Sequence, residues 1–162
     1  MNKTRKNAAP SKEAMVEMSI QFIADGGEWS LRKLATHCGT TTKVFYTRFD
    51  GEYGLVDAIV KFLGERKARQ YQSIEQSIES FYRYEIDFYY ENSTIVQFLE
   101  SKGRGANPFM LYVRDAYMKL FNGDQNKMIF SGTVMLGVQA MLAREVQVDH
   151  ELIIGYLTKG LS

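Results

Sequence analysis

One cysteine, two prolines and one tryptophan stand in a chain of 162 residues. The lone Cys38 cannot close an intrachain disulfide, which fits a reducing compartment, and a cytoplasmic protein is expected. Pro10 and Pro108 both sit where helices could begin, so no proline breaks a helix interior. No apolar run approaches the roughly 18 residues of a membrane span, so no membrane partner is expected. The start, Met1-Asn2-Lys3-Thr4-Arg5-Lys6, is basic, but no apolar stretch follows it, so it does not read as a secretory signal. No run alternates apolar and polar residues long enough to suggest a sheet. Internal repeats and low-complexity linkers are lacking too.

The usual chemical signatures are missing as well. There is no Gly-rich phosphate loop, no nucleophile elbow and no His-Glu-x-x-His. His37 and Cys38 are adjacent and cannot share a helical face, and no further Cys or nearby His completes a metal set. Glu85, Asp87 and Glu91 lie on one helix and read as a solvated face. No metal, cofactor or catalytic constellation is expected, and the chain does not read as an enzyme.

What is present is helical pattern almost throughout, with the 45% hydrophobic and 24% charged content of a globular protein. Ser11 caps a helix with Met15, Met18, Phe22 and Ile23 inward, ended by Gly26-Gly27. Ser30 caps a short helix burying Leu31, Leu34 and Ala35, and Gly39 breaks the chain. A third helix follows from about Thr41 with Val44, Phe45 and Phe49 inward. Asp50-Gly51 caps a fourth, burying Leu55, Val56, Ile59, Phe62 and Leu63. Ser73 opens an aromatic helix, a short piece spans Ile95 to Leu99, and Asn107-Pro108 starts another. Two helices close the chain, from about Gln125 to Glu145 and from about Asp149 to Leu161.

Charge is uneven although the net value is only +1: residues 1–50 hold eight Lys/Arg against five Asp/Glu, and residues 51–162 hold twelve against fourteen. Lys3, Arg5 and Lys6 form a basic arm over residues 1–10. It reads either as a phosphate contact or as a solvated terminus. Within Ser30–Leu55, two short helices flank a glycine turn, the layout of a helix-turn-helix. Leu34 and Ala35 must pack on Val44 and Phe45 to fix the second helix, whose other face can then enter a major groove.

These residues resemble the DNA-binding domain of TetR-family regulators. The pattern is a capping Ser30, Leu34-Ala35, Gly39, Thr41, Phe45-Tyr46, Phe49 and Leu55, and it covers residues 11–60. The resemblance implies an all-α protein, with a helix-turn-helix domain over 1–50 and a helical effector-binding and dimerisation domain over 51–162. It places Thr41, Thr42 and Lys43 at the start of a recognition helix, makes Tyr46 a phosphate ligand, and turns Thr47 and Arg48 outward. Ser30, Arg32 and Lys33 join the surface facing double-stranded operator DNA, Ser30 as cap and, through its helix N-terminus, as phosphate donor. Tyr46 also reads as a half-buried aromatic supporting its helix. Glu52 departs from the family pattern, which often has Lys there, and Thr40 stands where an apolar residue is usual.

Six aromatics fall within Phe81–Tyr90 and surround their helix instead of forming one stripe. The resemblance implies a small apolar or aromatic effector, with Tyr82, Phe88, Tyr89, Met110, Arg114 and Tyr117 lining a pocket; ordinary core is the other reading. For a homodimer, the last two helices offer Met128, Met135, Gly137, Val138 and Leu142, then Ile153, Tyr156 and Leu157. Gly132 and Gly137 suggest close approach of another backbone. The expected function is that of a repressor released from its operator by an effector. The alternative is a helical dimeric regulator answering to a protein partner.

Overall fold

The computed structural model describes residues 9–105, 107–142, 144 and 146–161. Among them are nine helices and no strand, so the fold is all-α. The chain divides into two compact units, Met1–Ile59 and Val60–Ser162. The division falls inside the fourth helix.

The first unit contains α1 (Lys12–Ala24), α2 (Leu31–His37), α3 (Thr42–Phe49) and the start of α4 (Glu52–Gln72). Its helix starts follow from local chemistry. The Ser11 hydroxyl accepts from the Ala14 amide at 3.1 Å, and that of Ser30 from the Lys33 amide at 3.1 Å, each satisfying a donor that the first turn leaves unbonded. Met15, Val16, Ser19 and Ile23 of α1 are buried with Leu34, Ala35, Cys38, Phe45 and Phe49, whereas Met18 and Phe22 are only half-buried. Ser19 is tolerated there because its hydroxyl donates to the Met15 carbonyl at 2.6 Å. Phe45 and Phe49 stack with ring centroids 5.8 Å apart. Asp50, expected to cap α4, instead ends α3 in the left-handed conformation with φ 59°. The turn is tight enough that a Cβ on Gly54 would lie 1.6 Å from the Phe49 carbonyl oxygen, so only glycine fits that position.

The second unit holds the rest of α4 and α5 (Ile78–Glu91), α6 (Ser93–Ser101), α7 (Met110–Leu120), α8 (Gln125–Leu142) and α9 (His150–Leu161). Helix α5 packs on α6, α8 and α9 and is the centre of this unit. It begins later than the sequence suggests. Ser73 turns back to donate to the Gln70 carbonyl at the end of α4, and Ser77 is the cap, accepting from the Ser80 amide at 3.1 Å. Helix α7 likewise starts at Met110, because the Asn107 carboxamide oxygen is taken by the Tyr89 hydroxyl at 2.6 Å and caps nothing. Helix α8, expected to run to Glu145, ends at Leu142. No helix among the described residues is long and apolar enough to cross a membrane.

Candidate nucleic-acid interface and the interior of the second unit

Helix α2 packs on α3 across the Gly39 turn, with Gly39 at φ 62° and the Thr40 amide donating to the Ala35 carbonyl at 2.9 Å. The inner face of α3 is Phe45 and Phe49, and its outer face is Lys43, Tyr46 and Thr47, with Thr42 half-buried. Tyr46 is 63% exposed, more than the half-buried supporting aromatic of the alternative reading. Its ring lies beside Gly51, where an added Cβ would approach it to 3.2 Å. The Thr47 hydroxyl donates to the Lys43 carbonyl at 3.0 Å, and the residue is exposed. Thr41 is exposed at the α3 N-cap, and its side chain makes no capping bond.

Arg48 is a correction. Expected to point outward, it turns back to α1, where its guanidinium donates to the Pro10 carbonyl and lies 3.2 Å from the Met15 sulfur. It fixes α3 to α1 and is half-buried. Arg32 is exposed. Lys33 is exposed and paired with Glu28, whose carboxyl it holds below the usual carboxylate range. A surface pair of this kind contributes little and opens readily. Glu52 accepts the Trp29 indole N–H at 3.0 Å, so its carboxylate is tied beside the entry to α2. Lys3, Arg5 and Lys6 lie outside the described residues.

In the second unit the expected solvated face of α5 is only partly such. Asp87 and Glu91 are exposed, but Glu85 is 3% exposed. It meets Lys67 of α4, itself fully buried, with the ammonium 2.8 Å from Oε1 and 2.9 Å from Oε2. Around that ammonium stand the rings of Phe88, Tyr89 and Phe109, with centroids at 4.7, 4.8 and 5.9 Å. Their faces add cation–π attraction in a dry setting. Burial nevertheless pulls the Lys67 pKa down, and the neighbouring carboxylate opposes that. The same burial, with the Glu85 charge adding to it, pushes the Tyr71 hydroxyl up to about 12 and raises Tyr89 and Tyr117 as well. These phenols therefore stay neutral.

Beside this pair lies a cavity of about 160 Å³. Phe81, Met110, Tyr117, Met135 and Leu136 form its apolar wall, and Glu85, Asn107 and Gln139 its polar edge. Gly132 leaves room on one side, since a Cβ there would meet only the Tyr117 hydroxyl, at 3.6 Å. Of the six residues expected to line a pocket, Met110 and Tyr117 do so. Phe88 and Tyr89 instead enclose Lys67, Tyr82 is fully buried away from the lining, and Arg114 is exposed beside Asp115 at 3.6 Å. The residues the sequence reading missed are Lys67, Glu85 and Gln139. A charged or amide residue within an apolar helix face was the available signal.

The face expected to dimerise also needs correction. Met135, Val138, Leu142 and Leu157 are buried within their own chain, and Met128 and Ile153 are half-buried. Gly132, half-buried, faces the Tyr117 hydroxyl of its own chain. The outer row is Ile129, Leu136, Gly137 and Met141 on α8, with Leu152 and Tyr156 on α9. Compared with protein-family models, curated proteins and solved structures, the chain finds no match in any of the three.

Proposed function

We propose that this chain is a dimeric DNA-binding transcriptional regulator of the TetR type, acting as a repressor that a small molecule releases from its operator. The observation that carries the reading is the outer face of α3. Lys43, Tyr46 and Thr47 stand exposed on a short helix whose opposite side is fixed by Phe45, Phe49 and the Arg48 tie to α1. A rigid helix presenting a cation, a phenol and hydroxyls is suited to phosphate and base-edge contacts. The operator-facing set is Arg32, Lys33, Thr41, Thr42, Lys43, Tyr46 and Thr47; Arg48 is left out of it.

A two-fold dimer would present two such helices about 34–36 Å apart to successive major grooves. The exposed apolar row of α8 and α9 supports pairing with a second copy, because water-facing patches of this kind usually mark interfaces. The cavity beside Glu85 supports an effector site, and α4 carries residues of both units on one continuous helix. The test is binding to the DNA upstream of the protein's own reading frame, over a range of salt concentrations. Affinity that exceeds that for unrelated DNA and falls as salt rises supports the reading; equal, salt-insensitive affinities count against it.

A further inference from the structure

The cavity of the second unit has an unbalanced set of hydrogen-bonding groups. Gln139 is 2% exposed and directs its Nε2 to Glu85 Oε2 at 3.4 Å. Turning the amide over would set its oxygen against a carboxylate, so Oε1 is the atom left over. That oxygen finds no hydrogen-bond donor among the described residues, whereas both Glu85 oxygens lie within 2.9 Å of the Lys67 ammonium. The Tyr117 hydroxyl and the Asn107 oxygen on the lining are engaged. The Tyr117 hydroxyl lies 2.8 Å from both the Met128 carbonyl and the Ser131 hydroxyl, and the Asn107 oxygen holds Tyr89. A buried acceptor without a donor thus borders an apolar space, and such an acceptor is costly to leave unmade.

We propose that this cavity binds a neutral, single-ring aromatic molecule bearing an O–H or N–H donor, the class of phenols and arylamines. The inference deepens the effector part of the function proposed above and rests on it. Size limits the body of the ligand: about 160 Å³ suits one ring, as apolar cavities of about 150 Å³ take up benzene. Phe81, Met110 and Met135 supply aromatic and thioether contacts for its faces. The unfilled Gln139 oxygen calls for a donor on the ligand. Charge is excluded on both sides. Lys67 already balances Glu85, so a cation would add an uncompensated charge, and an anion would meet the carboxylate.

The test uses the whole chain, with phenol, aniline, toluene, benzoate and benzylammonium as probes in calorimetric titration and thermal denaturation. Phenol and aniline should bind and raise the melting temperature. Toluene should bind about tenfold more weakly, and the two ions not at all. Gln139→Leu keeps the bulk and removes one acceptor, so it should bring phenol down toward toluene. Gly132→Leu should fill the space and abolish binding of both, with the helical circular dichroism retained. Toluene binding as well as phenol, or phenol binding untouched by Gln139→Leu, overturns the proposal even if Gly132→Leu does not fold. DNA affinity is read in parallel on the same samples. Intact DNA binding without phenol binding overturns this inference alone. Phenol binding without DNA binding supports the ligand class and overturns the regulator reading instead.

Discussion

Lys67 shows how one residue can be tolerated only through its neighbours. A fully buried ammonium is unfavourable unless its charge is matched, and here Glu85 and three aromatic rings match it. Such a pair adds little net stability, but losing one partner strands the other. Lys67→Met should therefore cost about 3–5 kcal/mol in urea unfolding, and Lys67→Met with Glu85→Leu should recover most of it. A double variant as unstable as the single one would show that the pair is not the source. On α3, Tyr46→Phe keeps the ring and deletes a hydroxyl, so DNA affinity should fall by about 1 kcal/mol on every sequence. Lys43→Ala should lower the salt slope of binding by about one. Operator affinity unchanged in both variants would remove α3 as the reading helix. The exposure of Tyr46 was only one of two readings, because at 3.6 residues per turn it stands about 60° from Phe49 and about 100° from Phe45, beside the inner face of α3. The apolar face around Glu85 signalled its burial, but not its pairing with Lys67, which lies on a different helix.

At the scale of elements, caps were legible and faces were not always so. Ser11 and Ser30 mark α1 and α2 because one hydroxyl and one amide three residues on decide the matter locally. Ser73 and Asn107 misled because each hydroxyl or carboxamide had a competing partner, Gln70 for the first and Tyr89 for the second. Helix α8 has apolar residues around its whole circumference, with Met128 beside Ile129, Met135 beside Leu136 and Met141 beside Leu142. Spacing alone then fits two stripes equally well, and the stripe of Met135, Val138 and Leu142 turns out to be the inner one. The difference is testable. Gly137→Glu, on the outer face, should yield folded monomers by light scattering and lose operator binding. Val138→Asp, 6% exposed, should unfold the second unit, since it buries an unpaired carboxylate. Folded monomers from Val138→Asp would restore the stripe read from the sequence.

At the scale of the whole molecule, the all-α class was legible from the lack of alternation and the rarity of interior proline. The boundary between units was not. The family resemblance implied domains over 1–50 and 51–162. The structure carries α4 straight through, so one helix contributes Leu55 to the first unit and Lys67 to the second. In the proposed regulator, this helix would be the route by which an effector in the second unit acts on the first, provided ligand and DNA bind different arrangements of the chain. Phenol should then weaken DNA binding of the unmodified protein and leave Gly132→Leu unaffected.

The most direct measurement of the central claim is fluorescence anisotropy of a labelled duplex from upstream of the protein's own reading frame, titrated with protein at several salt concentrations. The proposed function predicts one dimer per site, tighter binding than to a shuffled duplex, and log affinity falling linearly with log salt. Equal binding to both duplexes, or none at low salt by a protein that light scattering shows to be dimeric, would contradict it and favour a regulator that answers to a protein partner.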